Sequence, residues 1–289
     1  MGASIGTRAA LAALLISLGL GAAAQQRIEF PSTDQHITGG APTTLSGILR
    51  RPAEGAGPFP AIVGLHGCAG LLNEKGEERG VQRQWGQRLV QQGYVVLMVD
   101  SFAPRGIGNA CGTGDSRVSP TTVRPYDALG ALRHLQARSD VSPERVGLIG
   151  WSHGGGGAVH TMRAEFAEGQ APYYRVGVAL YPGSCSYNAL GVFRPAAPLL
   201  VLIGEADNWT PPRPCQDVMS RAARDGHPVE FVLYPEAVHA FDAENQPVIA
   251  LQGIMGPGRA APLVGTNVPA RDDARKRAYA LYAKFLKGQ

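Results

Sequence analysis

The stretch Val146-Gly147-Leu148-Ile149-Gly150-Trp151-Ser152-His153-Gly154-Gly155 reads as an apolar strand, a G-x-S-x-G turn and the start of a helix. A serine at such a turn has strained backbone angles, and small flanking residues let strand and helix approach closely. Its hydroxyl projects above the sheet, and the helix N-terminus favours negative charge beside it. The run lacks G-x-G-x-x-G, which disfavours a dinucleotide site; an incidental serine in a Gly-rich turn is the bland alternative. A serine hydroxyl becomes a nucleophile when a base takes its proton, and that base needs an orienting carboxylate. Asp207 and His239 follow Ser152 in the order acid, then histidine, each just past the C-terminal end of an apolar run, Leu199–Ile203 and Val229–Leu233. Glu205 and Glu236 are rivals for the acid. His134 and His160 fall within helical stretches, His36 comes too early, and His227 precedes its strand. An oxyanion needs two preorganised N–H donors. The expected pair is the backbone of His153 and that of Cys68 in His66-Gly67-Cys68-Ala69-Gly70, with Gly67 as the alternative to Cys68.

The elements that must position these groups are legible as alternating runs. Pro60–Leu65, Tyr94–Val99, Val146–Ile149, Val176–Leu180, Leu199–Ile203 and Val229–Leu233 are short, apolar and largely β-branched, as buried parallel strands are. Helical stretches lie between and after them: Gln82–Gln92, Tyr126–Ala137, Gly155–Ala167, Pro212–Arg224 and Asp272–Leu286. The alternation predicts an α/β fold, a mostly parallel central sheet with helices on both faces. Thr43–Arg50 reads as an antiparallel strand leading in. Glu244–Ala270, rich in Gly and Pro, is a long excursion before the last helix. No linker divides residues 25–289, so one domain is expected.

The 289 residues carry 27 Lys+Arg and 23 Asp+Glu, a formal charge of +4, with 44% hydrophobic and 17% charged residues. That balance excludes a disordered chain, and 38 Gly and 22 Pro without a Gly-X-Y period exclude a collagen. The densest basic cluster, Arg271 to Lys276, is interrupted by Asp272 and Asp273, which reads as a solvated helix face and not a nucleic-acid site. Residues 1–24 hold Arg8, an apolar run Ala9–Leu20, and small residues at Ala22 and Ala24 before Gln25, the pattern of a secretory signal peptide cleaved after Ala24. The run is short of a membrane span, so no stable anchor is expected after cleavage, and the mature chain is expected to be periplasmic or secreted. Export makes the four cysteines, Cys68, Cys111, Cys185 and Cys215, disulfide candidates. None lies in a C-x-x-C pair, so a metal site is not expected, and spacing leaves all three pairings open.

Taken together, His66-Gly67-Cys68-Ala69-Gly70, Asp100-Ser101-Phe102 with Arg105-Gly106, Gly150-Trp151-Ser152-His153-Gly154-Gly155, Gly204-Glu205-Ala206-Asp207 and His239-Ala240-Phe241 resemble the dienelactone hydrolase family of α/β-hydrolases. The resemblance runs from the Thr43 strand to the final helix. It implies a Ser/Cys–Asp–His triad, here Ser152, Asp207 and His239, with no metal and no cofactor. The best-known members attack with cysteine, so Ser152 aligns the chain with the serine esterase-like relatives. Members also grip a substrate carboxylate with two arginines; Arg105 matches the first, while Phe241-Asp242-Ala243 supplies none for the second. The family's strand order places Cys68 beside Cys111 and Cys185 beside Cys215, and those two bridges are expected. Independently of the resemblance, Trp151, Trp209 and Tyr181 are candidates to line the substrate pocket, with packing in the core as the alternative. The implied activity is serine hydrolysis of carboxylic esters or lactones. The alternatives are a cutinase-like polyester or lipid hydrolase, suggested by the Gly154–Gly157 run, and a non-catalytic binding protein on the same scaffold.

Overall fold

A computed structural model describes residues 1–2 and 25–289, so the signal peptide expected at residues 1–24 lies outside the described residues but for its first two. Eight strands form one sheet: β1 (Gln25–Pro31), β2 (Thr44–Arg50), β3 (Phe59–Leu65), β4 (Val95–Asp100), β5 (Val141–Trp151), β6 (Val176–Leu180), β7 (Leu199–Gly204) and β8 (Val229–Tyr234). Their spatial order is β1-β2-β4-β3-β5-β6-β7-β8. The pairs β1–β2 and β2–β4 are antiparallel and the other pairs are parallel, the α/β-hydrolase arrangement.

Every residue of β3, β4, β6 and β7 is buried, which explains their continuous apolar runs: both faces of the sheet are covered. Alternate side chains serve opposite faces. Val63, Leu97 and Leu148 pack with Leu129, Leu132 and Leu135 of the helix Arg124–Gln136, with Val159 of the helix His153–Thr161 and with Met219 of the helix Pro212–Arg224. Ile62, Val96 and Ile149 face the other way, onto Trp85 and Leu89 of the helix Gly80–Gln91 and Ala274, Ala278 and Tyr282 of the helix Val268–Tyr282. Each such side chain, once buried, contributes about 1.5–3 kcal/mol through the hydrophobic effect.

Several boundaries differ from the sequence reading. The helix expected at Gly155–Ala167 ends at Thr161. The chain then turns, because the Ala164 N–H donates to the Arg194 carbonyl at 2.8 Å and the Ala196 N–H to Met162 at 2.8 Å, and a separate short helix covers Ala164–Ala167. The final helix begins at Val268, earlier than expected, because the Asn267 side chain accepts the Ala270 N–H. Strand β1 alternates only at Ile28 and Phe30, too short a pattern to read as a strand in the sequence; it pairs with β2 along its whole length. The excursion Glu244–Ala270 is ordered by a small hairpin, β9 (Ile249–Ala250) with β10 (Leu263–Val264). The disulfides are Cys68–Cys111 and Cys185–Cys215, the pairing that the strand order implied. Among the described residues no helix is long and apolar enough to cross a membrane.

Candidate active site

Ser152 sits between β5 and the helix His153–Thr161 with φ 53° and ψ −113°, a conformation L-residues rarely adopt, held here by packing. A Cβ on Gly150 would lie 2.1 Å from the Gly154 carbonyl, and one on Gly154 would lie 2.0 Å from the Leu65 carbonyl. Both glycines are therefore required for strand and helix to meet at this angle. The Ser152 N–H donates to Leu180 O at 2.9 Å, which fixes the turn on β6.

The hydroxyl so presented meets a relay. His239 Nε2 lies 2.9 Å from Ser152 Oγ, and His239 Nδ1 lies 2.8 Å from Asp207 Oδ2. Asp207, 3% exposed, is itself held: Oδ1 accepts the N–H groups of Trp209 (2.9 Å) and Thr210 (2.8 Å). Thr210 Oγ1 lies 2.9 Å from Asp207 Oδ2 and 3.1 Å from the Tyr181 carbonyl, so its one proton serves either acceptor. With Asp207 accepting at Nδ1, the imidazole carries its proton there and leaves Nε2 free to take the serine proton. The His239 ring is flanked by Tyr181 and Trp209, at 4.5 and 4.8 Å between centroids. Its backbone is pinned by the excursion: the His239 N–H donates to Leu263 O, and the Gly265 N–H to His239 O. Asn208 holds the same hairpin through Ala261 O and the Leu263 N–H.

The two expected oxyanion donors belong to two segments that adjoin the serine. His153 follows it at the helix N-terminus. The other loop approaches so closely that a Cβ on Gly67 would be 3.6 Å from Ser152 Cβ. Among the described residues neither the Cys68 nor the His153 N–H is taken by another acceptor. Cys68 is tied to Cys111 by the disulfide, and its carbonyl accepts the Ala110 N–H at 2.8 Å. The His153 ring is not a proton carrier: burial, with Arg124 beside it, pushes its pKa down to about 3. His66 is likewise held well below the ordinary imidazole value, chiefly by burial.

Two sequence expectations are corrected. Arg105 is not free to grip a substrate. Its NH1 donates to Ser101 O and Asp127 Oδ2, and its NH2 to Asp34 Oδ2 and Asp127 Oδ1, all at 2.7–2.9 Å. Trp151 lines no pocket: it is 1% exposed, and its indole N–H donates to Asp242 Oδ2 at 3.1 Å. Trp209, half-buried against His239, stays beside the reacting groups.

Asp242 itself escaped the sequence reading. The same buried carboxylate accepts the Trp85 indole N–H at 2.7 Å and the Tyr181 hydroxyl at 2.7 Å, and burial raises its pKa. It thereby joins the strand before Ser152, the loop after β6 and the loop after His239. A lone acid in the apolar context Ala240-Phe241-Asp242-Ala243 was the signal. Among the described residues no group of three or more His, Cys, Asp or Glu is arranged to hold a metal ion.

This site lies on a fold shared with known hydrolases. The structure matches the dienelactone hydrolase-like promiscuous phosphotriesterase P91 from metagenomic libraries with a TM-score of 0.65 and 20% identity, over 91% of this chain and 99% of that one. The inferred hydrolase YtaP of Bacillus subtilis (strain 168) is 30% identical over 120 residues, which cover 36% of this chain and only 39% of YtaP. An inferred carboxymethylenebutenolidase of Methylorubrum extorquens is 28% identical over 212 residues, 68% of this chain and 67% of the relative. A sequence profile described as the dienelactone hydrolase family matches residues 45–288, from β2 to the C-terminal end of the last helical segment. The chain belongs to the dienelactone hydrolase family.

Proposed function

We propose that this chain is an exported serine hydrolase that cleaves carboxylic esters or lactones through an acyl-enzyme on Ser152. One observation carries the reading: the unbroken relay from Ser152 Oγ through His239 to Asp207, at 2.9 and 2.8 Å, beside two unclaimed backbone N–H groups. His239 Nε2 takes the proton as Ser152 Oγ attacks the carbonyl carbon. The N–H groups of Cys68 and His153 receive the oxyanion. His239 then returns the proton to the departing alkoxide, leaving the acyl group on Ser152. Water repeats the sequence with His239 as base and releases the acid. Asp207 keeps the Nδ1–H tautomer throughout and stabilises the imidazolium. No step calls for a cofactor.

The commitment of Arg105 to Asp34 and Asp127 favours neutral substrates over carboxylate-bearing lactones, since neither family arginine position offers a free cation. Export is supported by the signal-like residues 1–24 and by two disulfides. The test is a panel of neutral p-nitrophenyl esters, neutral lactones, a carboxylate-bearing lactone and an insoluble polyester, run with purified protein beside Ser152→Ala. The reading expects turnover of neutral small esters or lactones that disappears in Ser152→Ala. Turnover retained by Ser152→Ala, or none by the wild type on any member, contradicts it. Polymer turnover above that of the small esters would select the cutinase-like alternative.

A further inference from the structure

The helix Arg124–Gln136 begins with a cation, against the helix dipole, and that arginine is fully buried. A guanidinium taken out of water ordinarily meets a carboxylate. Among the described residues, Arg124 forms no ion pair. Its NH1 and NH2 both donate to the His66 carbonyl at 3.2 Å, NH1 also reaches His153 Nδ1 at 3.1 Å, and Nε has no partner. The nearest aspartate along its own helix, Asp127, is engaged by Arg105 and Ser32. The Phe102 ring lies under the guanidinium, 5.3 Å from Cζ. Burial lowers the Arg124 pKa to about 10, which leaves the group charged at neutral pH.

The partners of this cation are the two halves of the oxyanion site. His66 opens the loop that carries the Cys68 N–H, and His153 supplies the other N–H. Each neutral imidazole is oriented for its contact. His66 Nε2 accepts the Ser101 N–H, so its Nδ1–H is directed to Gly67 O at 2.7 Å, and His153 presents a bare Nδ1 to the arginine. The neighbouring helix makes room: a Cβ on Gly157 would lie 2.9 Å from Arg124 Cβ.

We propose that Arg124 is a positioning residue of the oxyanion site, bridging its two donor-bearing segments and placing behind them a positive charge that no carboxylate contacts. The reading rests on Ser152 as nucleophile. An ester carbonyl is neutral when bound and gains negative charge only as Ser152 attacks. A buried cation nearby therefore acts on the rate more than on ground-state binding. Mere structural glue would show no such preference.

The test compares wild type, Arg124→Lys and Arg124→Met on one neutral p-nitrophenyl ester, with far-UV circular dichroism and melting curves for each. Inhibition by an alkylboronic acid, whose adduct with serine is tetrahedral and anionic, is measured alongside. The expected result is a kcat lower by about 10–100-fold in Arg124→Met, less than deletion of a donor costs at its upper limit. KM should stay within about two-fold, boronate affinity should fall in parallel with kcat/KM, and Arg124→Lys should recover part of the loss by restoring the charge. Should Arg124→Met fail to fold, Arg124→Lys decides, because a lysine is shorter and lacks the second nitrogen that Arg124 sets on the His66 carbonyl: its kcat should drop with KM unchanged. A folded variant with wild-type kcat, a change confined to KM, or a boronate affinity that stays put while kcat falls would overturn the proposal. Activity that survives in Ser152→Ala would instead remove the reading beneath it.

Discussion

Asp207 Oδ2 meets both His239 and Thr210, while Oδ1 is fixed by two backbone N–H groups, so the acid cannot turn without breaking four contacts. Asp207→Asn keeps those backbone bonds but can offer His239 a donor in place of an acceptor, which favours the wrong tautomer. His239→Ala should lower kcat by at least about 10³, and Asp207→Asn somewhat less, because the proposed oxyanion donors survive both changes. Thr210→Val removes only a supporting hydroxyl and should cost a few-fold; steady-state kinetics with melting controls check all three. The positions of Ser152, Asp207 and His239 were legible in the sequence because each follows the C-terminal end of a strand, by one, three and five residues, in a turn whose residue types announce it. Thr210, Asp242 and Arg124 were not, since their roles arise from contacts between segments far apart in the chain. The same reason explains the misreading of Arg105. The family resemblance suggested a substrate grip for it, but its partners lie 71 and 22 residues away, and only the fold brings them to it.

The loops at this edge of the sheet are fastened to one another. The Cys68–Cys111 bridge holds the loop that carries the proposed Cys68 donor, and the hairpin of residues 249–264 ties the Asn208 side chain to the His239 backbone. Cys68→Ala keeps the amide but frees its loop, so Cys68→Ala and Cys111→Ala should lower kcat by similar factors, short of the roughly 10²–10³ of a lost donor. A wild-type Cys111→Ala beside an impaired Cys68→Ala would contradict that coupling. Cys185–Cys215 closes a separation of 30 residues between the loop after β6 and a surface helix. Its removal should cost about 3–4 kcal/mol of stability, read as a lower denaturant midpoint, with little change in kcat. Parallel strands and the helices between them were readable because apolar runs and periodicity are local. Strand β1 was missed because an edge strand that is mostly exposed needs no apolar pattern, and its identity comes from pairing with β2. The break at Thr161 was missed for a similar reason: the acceptor and donor that impose it lie near residue 195.

At the scale of the molecule, the fold encloses imidazoles that must stay neutral. Burial is the main cause in both His153, pushed down to about 3, and His160, pushed down to about 4. In the unfolded chain both protonate near the ordinary histidine value of about 6.5. Between that value and about 3–4 the unfolded state binds more protons than the folded one, so stability falls as pH falls. The melting temperature should therefore be steady above about pH 6.5 and decline below it. His160→Gln should flatten part of that decline whatever it does to the plateau, and a melting temperature unchanged from pH 8 to pH 4, as ordinary buffers span, would contradict the linkage. The family and the sheet order give the chain a hydrolase scaffold; whether its serine is the nucleophile is settled by labelling. Folded protein is treated with a fluorophosphonate, and its intact mass and peptide map are measured beside Ser152→Ala and His239→Ala. The account predicts one adduct on Ser152, none in Ser152→Ala, and labelling slowed by at least about 10²-fold in His239→Ala, where the base is gone. Label on any other residue, or no label on the folded wild type, would contradict it.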